Sequence, residues 1–388
     1  MRLWTFETGD TAERYRDSIV IFFNDERKAL STSHLNGGYR DDLKYVFNHN
    51  INSGMGMKQD ITCDNYEEHM RLLANELGLD PNASAGLLTA ASMENAAIRS
   101  ETYEDLTVTA IVTGGVVMNG GRVGDPAFFH ERQGETVEIK HGTINILLYI
   151  DANLPAETMT RALMTCTEAK TAALQELLAG SCYSRGLATG SGTDGAVIIC
   201  NSKSPSRLIY AGKHSKLGEL IGRTVKEAVK EALRLETNLC PESQFSMLKR
   251  LCRFGVTAET IWQKYAASPG SEISQGCRSL SDNNTLDKPI FLKTLSHLDR
   301  QEELVLLTSF YVHLIDQMDW QLLPPHLAVT EGKNIIRRIE DRYALAHDSL
   351  DQLSGSSLAG SIANTVTAMI ACFVLTIAKL IRTVETSD

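Results

Sequence analysis

Strand-forming runs stop near Pro241, and this break constrains the fold more than any other feature of the chain. Before it, short stretches rich in Val, Ile, Thr and Phe are interspersed with helical spacing; after it only helical spacing remains. Residues 18–23, 86–91, 107–118, 143–150, 196–200 and 207–211 read as strands, because β-branched and aromatic side chains suit a pleated, half-buried surface. Residues 27–34 read as the hairpin partner of 18–23, and 41–49 as a short helix. Met70, Leu73 and Leu77 recur near helical spacing over 66–77, with Gly78 as a stop. A long helix opens at Pro155 and runs to Leu178. Another follows a Ser215 or His214 cap and runs to about Leu235.

Strands that come in pairs, each pair followed by a helix, predict an α+β fold. Its sheets are mixed or antiparallel and covered by long helices, without the strict strand–helix alternation of a doubly wound sheet. The expected domains are 1–238 and an all-α C-terminal domain, 239–388, with helices at 242–254, 257–264, 300–316, 331–346 and 356–382. Residues 268–288 read as a polar loop between them.

A net charge of -10 argues against nucleic acid, whose phosphates need clustered Lys and Arg. The eight cysteines contain no C-x-x-C pair, so reduced thiols in a cytoplasmic protein are expected rather than a disulfide framework or zinc ribbon. Residues 1–17 carry charges throughout and offer no secretory signal. Residues 353–378 carry no charge, and 362–378 are long enough to span a bilayer. Asn364, Thr365, Thr367, Cys372 and Thr376 dilute that stretch, which favours a buried helix or a contact in a homo-oligomer over membrane insertion.

Five blocks carry a resemblance. They are Leu30-Ser-Thr-Ser-His-Leu-Asn-Gly-Gly38; Gly86-Leu-Leu-Thr-Ala-Ala-Ser-Met-Glu-Asn-Ala96; and Thr109-Ala-Ile-Val-Thr-Gly-Gly-Val-Val117 leading into Arg122-Val-Gly-Asp-Pro126. The fourth joins Gly142-Thr-Ile-Asn-Ile-Leu147 to Thr165-Cys-Thr-Glu-Ala-Lys-Thr-Ala-Ala-Leu-Gln175. The fifth joins Ala188-Thr-Gly-Ser-Gly-Thr-Asp194 to Tyr210-Ala-Gly-Lys-His-Ser-Lys-Leu-Gly-Glu-Leu-Ile-Gly222. In this order they resemble the adenosylcobinamide amidohydrolase family over residues 18–233. Gly115, Val117-Met118 and Lys213-His214-Ser215 depart from its pattern, and the C-terminal domain lies outside it.

The resemblance implies that the corrinoid adenosylcobinamide is the substrate, cut at the amide joining its side chain to aminopropanol to give adenosylcobyric acid during salvage. Two alternatives stand beside it: a corrinoid-binding carrier without chemistry, and an amidohydrolase for complete cobalamin-like corrinoids.

Such a reaction needs an activated water or nucleophile, a proton donor for the amine, and donors for the oxyanion. No G-x-S-x-G, H-E-x-x-H or catalytic cysteine signature supplies these. The loop holding Thr189, Gly190, Gly192, Thr193 and Asp194 is the first candidate: its backbone N–H groups can meet a carbonyl oxygen while Thr193 and Asp194 add a hydroxyl and a carboxylate. A tight turn capped by Asp194 is the plainer reading. His214 is a candidate acid or base, or else a helix cap, and Lys216 a binding group, or else an ion-pair partner of Glu219. Glu168 is a catalytic candidate and Lys170 a binding one; two apart on a helix, they face different sides.

His141 and Asn145 are candidates to bind or polarise the amide, or else satisfied polar residues at the sheet edge, and Asn36, Asn95, Asn119 and Asp125 are candidates to bind the corrin's peripheral amides. Turn formation explains Asn36 and Asn119 equally well. The polar groups of the two late glycine turns are expected to converge on one hollow wide enough for the ring. No cofactor is expected beyond the corrinoid substrate. A divalent metal on His141, His214 and Asp194 stays open, although no two of these lie at ligand-pair spacing.

Overall fold

In the computed structural model, which describes residues 1–51, 66–127, 142–267, 288–353 and 361–387, the N-terminal strands sort into two large sheets. The chain divides into two compact units, Met1–Pro241 and Glu242–Asp388. The first begins with β1 (Arg2–Thr5), β2 (Thr11–Tyr15), β3 (Ser18–Phe22), β4 (Arg27–Ser31), β5 (Gly38–Arg40), β6 (Tyr45–Asn50) and α1 (Tyr66–Glu76). Next come β7 (Ser84–Thr89), β8 (Ala97–Tyr103), β9 (Leu106–Gly115), the two-residue β10 (Gly120–Gly121) and β11 (Thr143–Ile150). Then α2 (Ala156–Glu176), the two-residue β12 (Gly190–Ser191), β13 (Gly195–Asn201) and α3 (Lys216–Thr237) complete it.

One sheet runs β1-β2-β3-β6-β7 and the other β5-β4-β13-β11-β9-β8. Each contains one parallel pair, β6–β7 or β11–β13, and is otherwise antiparallel. A parallel pair needs a crossover, which α1 and α2 provide. Side-chain alternation then builds the layers. Ile19, Ile21 and Val46 point toward Leu147, Val197 and Ile199 of the facing sheet, whereas Val20 and Phe47 pack on Met70, Leu73 and Leu77 beside α1. On the second sheet Ile144, Ile146, Leu148 and Ile150 turn the other way, onto Met159, Ala162, Leu220 and Val225 of α2 and α3. The unit is a helix–sheet–sheet–helix sandwich, an α+β fold with mixed sheets.

Three local expectations are corrected. β4 is not the hairpin partner of β3: it lies between β13 and β5 in the other sheet. The chain crosses between sheets at Asn24–Arg27 because Asp10 holds it there, accepting the Asn24 N–H at 2.8 Å and Arg27 Nε at 2.7 Å. The expected helix over 41–49 contains β6, where Tyr45, Val46 and Phe47 favour a strand and the β7 edge accepts them in parallel. Residues 207–211 add only an isolated bridge, Asn153 to Arg207. Both edges of β13 are already filled by β4 and β11, so no sheet position remains beside it. β1, β2 and β8, short and polar, gave no clear strand signal in the sequence.

The second unit is helical: α4 (Pro241–Gln244), α5 (Met247–Leu251), α6 (Ala258–Ala267), α7 (Lys288–Leu298), α8 (Glu302–Asp319), α9 (Pro325–Arg342) and α10 (Ile362–Ser387). The helix expected over 242–254 breaks at Ser246, whose Oγ caps α5 by accepting the Lys249 N–H. Ile362–Glu385 is long and apolar enough to cross a membrane, with a mean hydropathy of 1.8. In this structure Val366, Met369, Phe373, Ile377 and Ile381 of α10 pack into the unit's own core with Tyr311 and Ile336. The polar stretch expected at 268–288 lies, apart from Lys288, outside the described residues.

Candidate active site

The turn between β12 and β13 is built around one carboxylate. Asp194 Oδ1 accepts the Ile144 N–H at 2.9 Å and the Ser191 hydroxyl at 2.7 Å. Its Oδ2 accepts the Ser191 N–H at 3.0 Å and the ammonium of Lys170 from α2. The two charged side chains are 11% and 12% exposed, so the pair sits largely out of water. A carboxylate has about four acceptor positions, and here each has a donor. Asp194 is therefore a holder of the turn more than a free base.

Gly190 makes this possible. A Cβ there would stand 2.2 Å from Asp194 Oδ2 and 2.6 Å from Lys170 Nζ, inside the ion pair. Gly192, at the tip, is exposed and has nothing within 4 Å of the missing Cβ, so another molecule can reach its backbone. Beside it three hydroxyls gather. Thr143 and Thr193 Oγ1 lie 2.5 Å apart, Ser191 Oγ is 3.4 Å from Thr193 Oγ1, and Thr193 donates to the Gly142 carbonyl at 3.0 Å. Thr189 ties the turn to the β10 ribbon: its Oγ1 accepts the Val123 N–H at 2.9 Å and its own N–H meets the Gly121 carbonyl at 2.8 Å. Ser191 and Thr143 were not among the expected site residues; hydroxyls next to the turn were the available signal.

Four other expected residues lie elsewhere. Glu168 pairs with Lys213 at 2.9 Å, with side chains 52% and 63% exposed. Lys216 pairs with Glu219 at 2.6 Å and lies 4.5 Å from the centre of the Tyr103 ring. His214 is exposed, in the turn before α3 that Ser215 caps. Asn36 Nδ2 donates to the Pro81 and Ser84 carbonyls, fixing a loop. The residues of the two glycine turns have separate partners. Residues 168 and 170 leave α2 on different sides, so Lys170 reaches the Asp194 turn and Glu168 reaches Lys213. Among the described residues no hydrogen bond or ion pair joins Glu168, Lys213 or His214 to the Asp194 turn.

Asn119 donates to the Gly142 carbonyl and Asp125 accepts from Ser181 Oγ at 2.6 Å and the Arg122 N–H at 2.8 Å. Partial burial opposes ionisation of Asp125, but bonds from Ser181, Ser184 and the Arg122 backbone outweigh it and hold the carboxyl below its ordinary value. Asn145 is buried between the sheets. His141 lies outside the described residues. Among the described residues no three His, Cys, Asp or Glu side chains gather as a metal-ligand set. Cys166, one turn before Lys170, is no ready thiolate: burial pushes its thiol up to about 12.

Comparison with known proteins adds the identity of this unit. The profile of the adenosylcobinamide amidohydrolase family matches residues 5–241. An uncharacterized protein of Methanocaldococcus jannaschii is 37% identical over 227 residues, 56% of this chain and 85% of that protein. A Methanosarcina mazei protein named adenosylcobinamide amidohydrolase is 30% identical over 228 residues, 57% of this chain and 96% of that protein. With the match spanning nearly the whole two-sheet unit and its Lys170–Asp194 turn, the chain belongs to the adenosylcobinamide amidohydrolase family.

Proposed function

We propose that this protein hydrolyses the aminopropanol amide of adenosylcobinamide, releasing adenosylcobyric acid and aminopropanol for corrinoid salvage in the cytoplasm, and that the β12–β13 turn is where the amide is held. The observation that carries this reading is the pairing of family membership with a rigid, partly exposed turn. Asp194 and Lys170 fix that turn from within, while Gly192, Ser191 and Thr193 form its accessible edge. The exposed backbone N–H of Gly192 is suited to the amide carbonyl. The same backbone N–H can donate to the oxyanion that forms when water adds to the carbonyl carbon. Collapse of that adduct breaks the C–N bond, and the departing amine takes the proton given up by the attacking water. Lys170 and Asp194 act as positioning residues in this scheme.

Incubating purified protein with adenosylcobinamide and separating the products tests it directly. Equimolar aminopropanol and adenosylcobyric acid are expected. A spectral change on corrinoid binding without free aminopropanol would make the protein a carrier instead. Release from nucleotide-bearing corrinoids alone would move the substrate to complete cobalamins.

A further inference from the structure

Directly behind the turn lies a buried polar chain that the scheme above does not use. Asn145 Nδ2 donates to Asn48 Oδ1 at 2.8 Å and to the Leu88 carbonyl at 2.9 Å. Asn48 Nδ2 in turn donates to Thr113 Oγ1 at 2.8 Å. The three side chains are 1–2% exposed, so none touches a ligand from the surface. They span both sheets: Asn48 stands on β6, while Asn145 and Thr113 face each other on β11 and β9.

Their place relative to Asp194 is specific. Asn145 is the register partner of Gly195, the residue after Asp194, and it follows Ile144, whose N–H Asp194 accepts. A Cβ on Gly195 would meet Asn145 Oδ1 at 2.9 Å and Leu87 Cδ2 at 2.8 Å, so the amide is seated against the β13 backbone with no slack. Between the facing sheets Ile19, Ile21, Val46, Leu147 and Val197 make non-directional contacts that allow small sliding, and a second directional set, Asp10 with Arg27 and Tyr149, stands farther along β11 from the turn. A chain of hydrogen bonds has one geometry, and it stands at the end of the sandwich where the turn is attached.

We infer that Asn48, Asn145 and Thr113 form a positioning strut. It locks the first residues of β11 and β13 between the two sheets, and so sets where Asp194 holds Gly192 and Thr193. The inference rests on the turn being the place of amide cleavage, and it predicts that these residues govern turnover rather than binding.

Two substitutions at Asn48 test it. Asn48→Leu keeps the bulk and removes both hydrogen-bonding functions. It should lower kcat by about 10- to 100-fold with KM within about threefold, since a small misplacement of reacting groups costs that much. Hydrogen exchange at the Ile144 amide should accelerate while that of Ile198, in mid-strand, stays protected. Asn48→Asp separates geometry from mere stability. A neutral carboxyl accepts from Asn145 and donates to Thr113 as the amide does, whereas the ionised form only accepts. Its kcat should therefore recover as pH falls, relative to the parent protein.

Parent-like kcat and parent-like Ile144 exchange in Asn48→Leu would overturn the strut, as would Asn48→Asp matching Asn48→Leu at every pH. If the parent protein releases no aminopropanol, the functional reading fails by itself. The Ile144 exchange rates then decide the strut alone, faster exchange supporting it and unchanged exchange rejecting it.

Discussion

Two ion pairs leave α2 only two residues apart and have opposite characters. Lys170–Asp194 is about nine-tenths buried, with every carboxylate acceptor position engaged. Glu168–Lys213 is more than half exposed. The first pair is locked to two strands and a turn; the second rests in solvent, where such pairs contribute little. What separates them is the helical rotation of about 200° over two residues, which decides which side chain enters the fold and which meets water. Chemical type alone, one lysine and one carboxylate in each pair, would have ranked them equally.

The sharpest way to break this contrast is Asp194→Ala. Removing the carboxylate strands a buried Lys170 and frees the Ser191 and Ile144 donors, a loss of about 3–5 kcal/mol for a broken buried pair. Aminopropanol release should fall by about a thousandfold, with circular dichroism and a melting curve showing whether the fold persists. Near-parent turnover would remove the turn from the reaction.

Gly190→Ala attacks the same pair from the backbone. The new methyl pushes into the ion pair, so a loss of about 1–3 kcal/mol and roughly a hundredfold in kcat is expected. Unchanged melting and kinetics would mean that the pair is looser than its geometry.

A third test extends the contrast to two histidines. His49 is fully buried beneath α1, its Nδ1 bonded to Ser18 Oγ at 2.7 Å, whereas His214 is exposed. Burial, opposed by Asp17 and aided by His69, brings the His49 pKa from 6.5 down to about 4. The unfolded chain then binds the proton more tightly, so the stability that neutral His49 provides is complete above about pH 6.5 and is lost as pH falls to about 4. The loss is of order 3 kcal/mol at most. Melting curves of the parent protein and of His49→Gln should converge in slope only above that window; parallel curves throughout would refute the burial argument.

The smallest effects belong to the exposed side. Glu168→Gln and His214→Ala should change stability by less than about 1 kcal/mol and leave kcat/KM within about threefold. A hundredfold loss in either would restore the second glycine turn to the site.

Much of the first unit was legible from residue pattern. Val, Ile and Leu runs fixed β11 and most of β13, Gly78 ended α1 close to where expected, and Ser215 capped α3. The glycine loop ending in Asp194, with Lys170, was visible because turn chemistry and helical rotation are local. Partner choice was not. β4 reads as a hairpin strand in sequence, yet joins the other sheet because Asp10, seventeen residues before Arg27, reaches it in space.

The linear order of side chains by itself determined the family, the mixed sheets, the helical C-terminal unit and the divergence of Glu168 from Lys170. Those features follow from spacing along one element. Only tertiary structure decided that Asp194 has no acceptor position to spare, that Glu168 and His214 stand apart from it, and that Asn48 meets Asn145 across two sheets. Such facts depend on distances between segments far apart in the chain, and side-chain periodicity carries no information about those distances.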